Sequence, residues 1–160
     1  MYVETIEMMK AHGYVHYEIS NFAKPGYESR HNRVYWRNEP YYGVGAGAHG
    51  YVNEWRHVNR KGVKEYIAAV AEQGLPRLET YPVSRQESME NMMMVGLRLL
   101  EEGVSRERFR RRYNVAVEEV FIKQLRKLET AGLISLQQDR IKLSDKGLMF
   151  GNDVFAEFIS

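Results

Sequence analysis

The second half of the chain carries apolar residues at helical spacing. Ser84 and Glu87 are placed as in the capping box that begins a helix. The apolar positions after them recur mostly three or four residues apart: Met89, Met92, Met93, Leu97 and Leu100. This pattern predicts a helix that runs to Gly103, because glycine commonly follows the last residue of a helix.

The C-terminal third of the chain continues this pattern. Ser105 is a candidate cap of a short helix, and a second amphipathic helix is predicted from Val115 to Ala131. Alternating apolar residues on both sides of residues 137–140 predict a β-hairpin, and Ser144 is a candidate cap of a last helix. The order helix, helix, helix, hairpin, helix is the order expected of a winged-helix-like domain.

The front of the chain is aromatic and contains a dense run of glycines. Thr5–His12 predicts the end of a helix, and Tyr14–Ile19 predicts a strand. Residues 42–50 are too rich in glycine for a helix and predict a buried strand that runs into a tight turn. These few elements cannot cover both faces of a parallel sheet. We therefore expect residues 1–60 to be the tail of a larger α/β domain, which this sequence enters part-way through.

Composition narrows the class of protein. Nine of the eleven tyrosines lie within residues 2–66, and charged residues, Met and Leu dominate after them, so the sequence divides near residue 60. The absence of cysteine excludes disulfides, thiolate metal sites and iron–sulfur ligation within the chain. A net charge of +2 gives no general attraction to nucleic acid or membranes. No apolar run approaches the roughly 20 residues of a membrane span, and no signal peptide is recognisable, so the cytoplasm is the expected compartment.

The first candidate site is His31 with Tyr35 and Trp36. An imidazole binds haem iron axially, and aromatic rings offer surface for a flat ligand. The alternative is a capped loop whose rings pack inside the fold, and a single histidine does not decide between the two.

The second candidate site is the glycine run, with Gly45, Gly47, Ala48 and His49 at its end. Small residues at the end of a strand let a nucleotide or adenosyl group lie against the backbone. Close packing of the protein's own backbone explains the composition equally well. The run lacks the spacing of a dinucleotide-binding fingerprint.

The third candidate is a basic cluster over residues 105–127, which holds eight cationic and three acidic side chains for a net +5. On a winged-helix-like domain this cluster would make DNA binding a rival interpretation. The predicted hairpin tip is poor in cations, and Glu118 and Glu119 lie on the helix that would read DNA, so a solvated face or a docking surface is favoured. A metal site from His31, His49 and His57 is disfavoured because no histidine pair has helical ligand spacing.

Successive blocks of this sequence resemble the oxygen-independent coproporphyrinogen III oxidase-like (HemN/HemW) family of radical-SAM proteins. The most specific blocks are Tyr17–Ala23, His31-Asn32-x-x-Tyr35-Trp36 and Tyr42–His49. The segments Gly96–Leu99 and Leu128–Leu133 are similar to the C-terminal domain of that family. The His-Asn-x-x-Tyr-Trp form is similar to the haem-chaperone (HemW) branch.

This resemblance implies an α+β fold. Residues 1–60 would be the C-terminal end of a partial TIM-like barrel, and residues 61–160 a mostly helical, winged-helix-like domain with a β-hairpin. In the family, a CxxxCxxC motif on the barrel holds a [4Fe–4S] cluster that cleaves S-adenosylmethionine. Because this chain has no cysteine, the cluster and S-adenosylmethionine are expected only in a longer parent protein, and this piece alone is not catalytic.

The resemblance also assigns roles to the candidate residues. It implies haem contact at His31, with Tyr35 and Trp36 beside it, and contact with the adenosyl group at Gly45–His49. The expected partners are haem or another tetrapyrrole, the missing radical-SAM domain and a haem-acceptor protein, and the basic cluster would face tetrapyrrole propionates. The first expectation is therefore the C-terminal part of a haem chaperone. The alternatives are a decarboxylating coproporphyrinogen III dehydrogenase and a free-standing winged-helix nucleic-acid-binding domain.

Overall fold

The structure, a computed structural model, describes residues 1–160, except for the side chain of Gln73. The helices are α1 Tyr2–Ala11, α2 Arg30–Trp36, α3 Val63–Gln73, α4 Arg85–Gly96, α5 Arg106–Tyr113, α6 Val117–Thr130, α7 Asp145–Met149 and α8 Gly151–Ala156. The strands are β1 Val15–Glu18, β2 Asn21–Ala23, β3 His49–Val52, β4 Trp55–Asn59, β5 Arg77–Pro82, β6 Val104–Ser105, β7 Ile134–Leu136 and β8 Arg140–Leu143. The mixed α and β content agrees with the predicted class.

The chain forms two compact units. Residues 1–38 and 89–160 make up one of them, here called the terminal unit, and residues 39–88 make up the other, the central unit. The division predicted near residue 60 concerned the domains of a longer parent protein and stays a prediction. None of the described helices combines the length and apolar character needed to cross a membrane.

The core of the terminal unit lies between helices α4, α5, α6 and α8 and a three-stranded antiparallel sheet in the order β6-β8-β7. Phe109, Phe121 and Phe158 pack edge-on in this core, with ring centroids 6.2 Å and 5.5 Å apart for successive pairs. Such aromatic packing adds to the stabilisation from burying apolar area. The long amphipathic pattern of the sequence therefore predicted this core correctly.

The three predicted serine caps are confirmed. The hydroxyl oxygens of Ser84, Ser105 and Ser144 accept hydrogen bonds from backbone N–H groups three residues later, at 3.1, 3.2 and 2.9 Å respectively. Each cap satisfies a backbone donor that the first turn of a helix leaves unpaired. The predicted hairpin is also confirmed, since β7 and β8 pair antiparallel.

The predicted end of the helix that Ser84 caps is wrong. Helix α4 ends at Gly96 rather than near Gly103, because the residues after it pair with β1. Leu100 N–H donates to the Tyr17 carbonyl at 3.1 Å, and Ile19 N–H donates to the Arg98 carbonyl at 3.2 Å. The predicted single last helix is likewise divided at Phe150 into α7 and α8.

The central unit contains a three-stranded antiparallel sheet in the order β3-β4-β5, together with α3. The buried strand predicted over residues 42–50 is wrong. The strand begins only at His49, and the segment before it is a loop in which Tyr42 and Val44 are 80% and 85% exposed. Gly45 and Gly47 have φ of +107° and +71°, which an extended strand does not accommodate.

Candidate functional site

Helix α2 brings His31 and Tyr35 together. The helix begins after Ser29, whose hydroxyl oxygen accepts a hydrogen bond from Asn32 N–H at 3.2 Å. His31 and Tyr35 are four residues apart and therefore share one face of the helix. The Tyr35 hydroxyl lies 2.8 Å from His31 Nε2, and the two rings meet edge-on with centroids 4.7 Å apart. His31 is exposed and Tyr35 is half-buried, so this pair forms an accessible polar and aromatic surface.

Trp36 does not join that pair. Five residues after His31, it projects about 140° away around the helix axis. The guanidinium of Arg98 lies over its ring, 4.6 Å from the centroid, and 5.3 Å from the ring of Phe155. A planar guanidinium is suited to such stacking between two aromatic rings. In the sequence, Arg98 stood out only as part of Gly96–Leu99, one of the segments that resemble the family. No local pattern indicated that it would contact Trp36.

The other side of α2 is anchored by ion pairs. Arg37 binds Glu102 through two contacts of 2.9 and 2.8 Å, and Arg33 Nε approaches the same carboxylate at 3.3 Å. Arg33 also lies 3.9 Å from Glu28. Backbone N–H groups of Glu28 itself and of Gly26, followed by Arg33, lower the pKa of the Glu28 carboxyl. Partly exposed pairs of this kind contribute little stability each, but together they fix the orientation of the helix that carries His31.

Several arginines of the basic cluster are engaged in contacts within the protein. Arg108 and Arg112 donate to the carbonyl oxygens of Arg37 and Asn38 at 2.7 and 2.6 Å. Arg106 pairs with Glu118 and donates to the Gln137 carbonyl. These arginines hold α5 against the rest of the terminal unit, so fewer cations of the cluster are available to a ligand than its composition indicates.

The glycine loop, residues 42–48, is held by the backbone and side chains of the central unit. Asn59 donates from Nδ2 to the carbonyl oxygens of Gly43 and Gly45, both at 3.0 Å. A Cβ at Gly43 would overlap the carbonyl oxygen of His49, whereas at Gly45 it would meet nothing within 4 Å. Gly43 is thus required for close backbone packing, whereas Gly45 and Gly47 are required for backbone conformation. An added Cβ would meet open space at Gly45 but would contact Lys61 Cα at 3.9 Å at Gly47.

Replacing Asn59 with Ala should loosen this loop. Asn59 is buried, and its amide is a donor to two loop carbonyls, so we expect the free energy of unfolding to fall by about 1 kcal/mol. Amide hydrogen exchange should accelerate at residues 43–48 more than in α6. The exposed Asn152 supplies a control, because its replacement by Ala should leave both quantities within error. If Asn59→Ala accelerated exchange equally at residues 43–48 and in α6, this role of Asn59 would be contradicted.

His57 lies on β4 in a different setting from His31. Its Nδ1 is 3.3 Å from the Thr80 hydroxyl oxygen on β5. Burial, followed by the positive charge of Arg77, lowers the pKa of His57 below its ordinary value. Within the described residues, no group of three or more His, Cys, Asp or Glu side chains is arranged to hold a bare metal ion.

Known proteins resemble this chain over most of its length. A family model described as the HemN C-terminal domain matches residues 83–150. The heme chaperone HemW of Bacillus subtilis is 44% identical over 159 residues, a match that covers 99% of this chain and 42% of that protein. The heme chaperone HemW of Lactococcus lactis is 37% identical over 159 residues and is covered to 41%. The chain thus spans about two fifths of these relatives.

A solved structure shares the fold. Coproporphyrinogen III oxidase (HemN) from Escherichia coli, described as a radical SAM enzyme, superposes with a TM-score of 0.72 at 19% identity. The match covers 98% of this chain and 39% of that protein. At this identity the likeness establishes the fold only.

Proposed function

We propose, from the premise that this chain belongs to the HemN/HemW family, that it acts as the C-terminal part of a radical-SAM haem chaperone and contributes a haem-binding surface. The observation that carries this proposal is the 44% identity to a heme chaperone over 99% of the chain, a range that includes α2. The oxidase is more distant, at 19% identity. The decarboxylating enzyme is therefore the second candidate.

The residues of α2 suit a haem ligand. An axial histidine has to be accessible, and its second ring nitrogen is usually held by a hydrogen bond that fixes the ring. His31 is exposed, and the Tyr35 hydroxyl is hydrogen bonded to one of its ring nitrogens. We propose that His31 is the axial ligand and that Tyr35 orients it. Trp36 contributes indirectly, because its contact with Arg98 holds α2 in place.

Radical chemistry requires groups that this chain does not supply. The bound cluster would provide electrons for the cleavage of S-adenosylmethionine, but its cysteine ligands have no counterpart here, since the chain contains no cysteine. We propose that Gly45, Gly47, Ala48 and His49 border the adenosyl group in a complete protein. The open space beside Gly45 supports this role, whereas the packing of Gly43 serves the loop itself.

We further propose a winged-helix-like architecture for the segment from α4 to β8. Its order, α4, β6, α5, α6, β7 and β8, with β6 pairing β8, supports this description. Its role would be to dock a protein domain rather than DNA. At the hairpin tip, Arg140 is paired with Asp139, and Glu118 and Glu119 on α6 would repel phosphate.

Haem titration tests the proposal. In the purified protein, His31→Ala should weaken haem affinity at least tenfold and remove the Soret shift that accompanies axial ligation, because it deletes the ligand itself. His12→Ala is the matched control, since His12 is also exposed but directly follows α1, away from α2. Unchanged haem spectra in His31→Ala would refute the assignment. Salt-dependent duplex DNA binding without any haem effect would instead favour the nucleic-acid-binding alternative.

The chaperone and the decarboxylase differ in what they do with a tetrapyrrole. A complete protein with its cluster reconstituted, assayed without oxygen, should transfer haem to an acceptor protein and leave coproporphyrinogen III unchanged. Formation of the decarboxylated product would favour the enzyme.

A further inference from the structure

The side chain of Arg98 is a half-buried cation in the terminal unit whose charge is not paired. Its guanidinium carbon lies 4.6 Å from the centroid of the Trp36 ring and 5.3 Å from that of Phe155. Among the residues that the structure describes, none forms an ion pair with this guanidinium or accepts a hydrogen bond from it. Charged groups that are withdrawn from water are ordinarily paired, so Arg98 lacks an anionic partner.

The three nitrogens of this guanidinium differ in their access to solvent. Nε is closed off from solvent and has no hydrogen-bond partner, and the indole Nε1 of Trp36 is in the same condition. The terminal nitrogens, Nη1 and Nη2, also lack a described partner but are not closed off. A carboxylate binds a guanidinium edge-on through two parallel N–H···O bonds, whereas aromatic rings cover its faces. The contacts with Trp36 and Phe155 therefore leave the edge formed by the terminal nitrogens available to a carboxylate.

A cavity of about 410 Å³ opens beside Arg98. This volume lies within the range of sites for small molecules, roughly 300–1,000 Å³. Tyr2, Ile19 and Phe150 contribute apolar surface to its walls, and Arg98 is the one cation among the lining residues. The one lining carboxylate belongs to Asp153, which is exposed in the first turn of α8. Because Asp153 repels anions, a ligand with a single negative charge and an apolar body suits this cavity better than phosphate.

We propose that this cavity binds a monocarboxylate with an apolar body, whose carboxylate pairs with the terminal nitrogens of Arg98. Stacking against Trp36 and Phe155 orients the guanidinium before the ligand arrives, so less conformational entropy is lost on binding. A free organic acid and the C-terminal residue of a peptide offer the same chemistry. The site does not depend on the proposed binding of haem, because Trp36 projects about 140° away from His31 around α2.

Titration with 3-phenylpropionate, followed by proton–nitrogen NMR, tests this proposal. The readouts are the signals of Arg98 Nε–H and of the Trp36 indole N–H, whose exchange with water is slowed because both nitrogens are closed off from solvent. The chain has two tryptophans, so Trp55→Phe leaves a single indole signal and identifies it. The carboxylate should shift both signals in a saturable way. The neutral amide of the same acid should leave them unchanged, because it cannot form the charged pair.

Two substitutions separate binding from a structural role. Arg98→Lys keeps the charge but loses the planar fork, so the affinity for 3-phenylpropionate should fall about tenfold. Asp153→Asn removes the repelling carboxylate and should tighten binding about threefold, an improvement that a purely structural role of these residues would not produce. Asp145→Asn is the matched control, since Asp145 is also an exposed acid in the first turn of a helix but does not line this cavity.

The source of the carboxylate is tested with a short peptide that ends in phenylalanine. Tighter binding of the peptide than of 3-phenylpropionate, lost when its C-terminus is amidated, would support the site and identify a peptide end as the ligand. Tighter binding of the free acid would support the site and identify an organic acid. Absence of a saturable shift with either probe, or equal shifts with the neutral amide, would overturn the proposal. Stronger binding of inorganic phosphate would overturn the choice of a monocarboxylate.

Discussion

Replacing Phe109 with Ala should lower the free energy of unfolding by about 3–5 kcal/mol, the range for truncation of a fully buried phenylalanine. Phe109 is completely buried in the core of the terminal unit. Its ring is 4.8 Å from that of Tyr113 and 6.2 Å from that of Phe121. The substitution removes these ring contacts and leaves a cavity that surrounding side chains fill only in part. Chemical denaturation followed by circular dichroism measures the loss.

Ile122→Ala is the matched control for this experiment. Ile122 follows Phe121 on α6, but its side chain is 40% exposed. Its truncation should therefore cost less than about 1 kcal/mol. Similar losses for both substitutions would show that Phe109 is not the centre of this core.

Gly147→Ala should destabilise the protein by about 1–3 kcal/mol, the usual cost of overpacking. The ordinary rule for helices has the opposite sign, because alanine favours a helix by about 0.5–1 kcal/mol over glycine. Gly147 is buried in α7, and a Cβ there would overlap the backbone carbonyl of Leu133. Backbone cannot move aside like the end of a flexible side chain, so either α7 or the segment before β7 must shift. The change in melting temperature reports the effect.

Gly151→Ala separates overpacking from helix propensity. Gly151 begins α8, and a Cβ there would lie 3.4 Å from the Phe155 ring, which is an ordinary contact. This variant should be neutral or slightly more stable than the unmodified protein. If both glycine variants were stabilised, the close approach of Leu133 to α7 would be wrong.

Of the features predicted from the sequence, the starts of the helices agree best with the structure. Ser84, Ser105 and Ser144 each cap a helix as expected, because a cap depends on residues within one turn of it. The sequence predicted helix α4 but not its end at Gly96, because that end is set by pairing with β1, about 80 residues earlier in the chain. Strand β6 is only two residues long and exists through its pairing with β8, so no periodicity could indicate it.

The candidate sites show the same contrast between contacts set by nearby residues and contacts set by long-range pairing. The contact between His31 and Tyr35 could be read from their four-residue spacing on a helix. The sequence grouped Trp36 with them because the three residues are close along the chain, but the helix turns it toward Arg98. The surroundings of His57 depend on the register of three strands, and Thr80 is 23 residues away. Only the folded sheet places these two residues together.

The stacking of Arg98 links the end of the chain to helix α2. Its backbone carbonyl receives the Ile19 N–H, while its guanidinium lies between the rings of Trp36 and Phe155. A single side chain thus clamps the C-terminal helix α8 to the helix that presents His31. Removal of α8 would take the Phe155 ring out of this stack, so the orientation of the imidazole depends in part on a helix that lies far along the chain from His31.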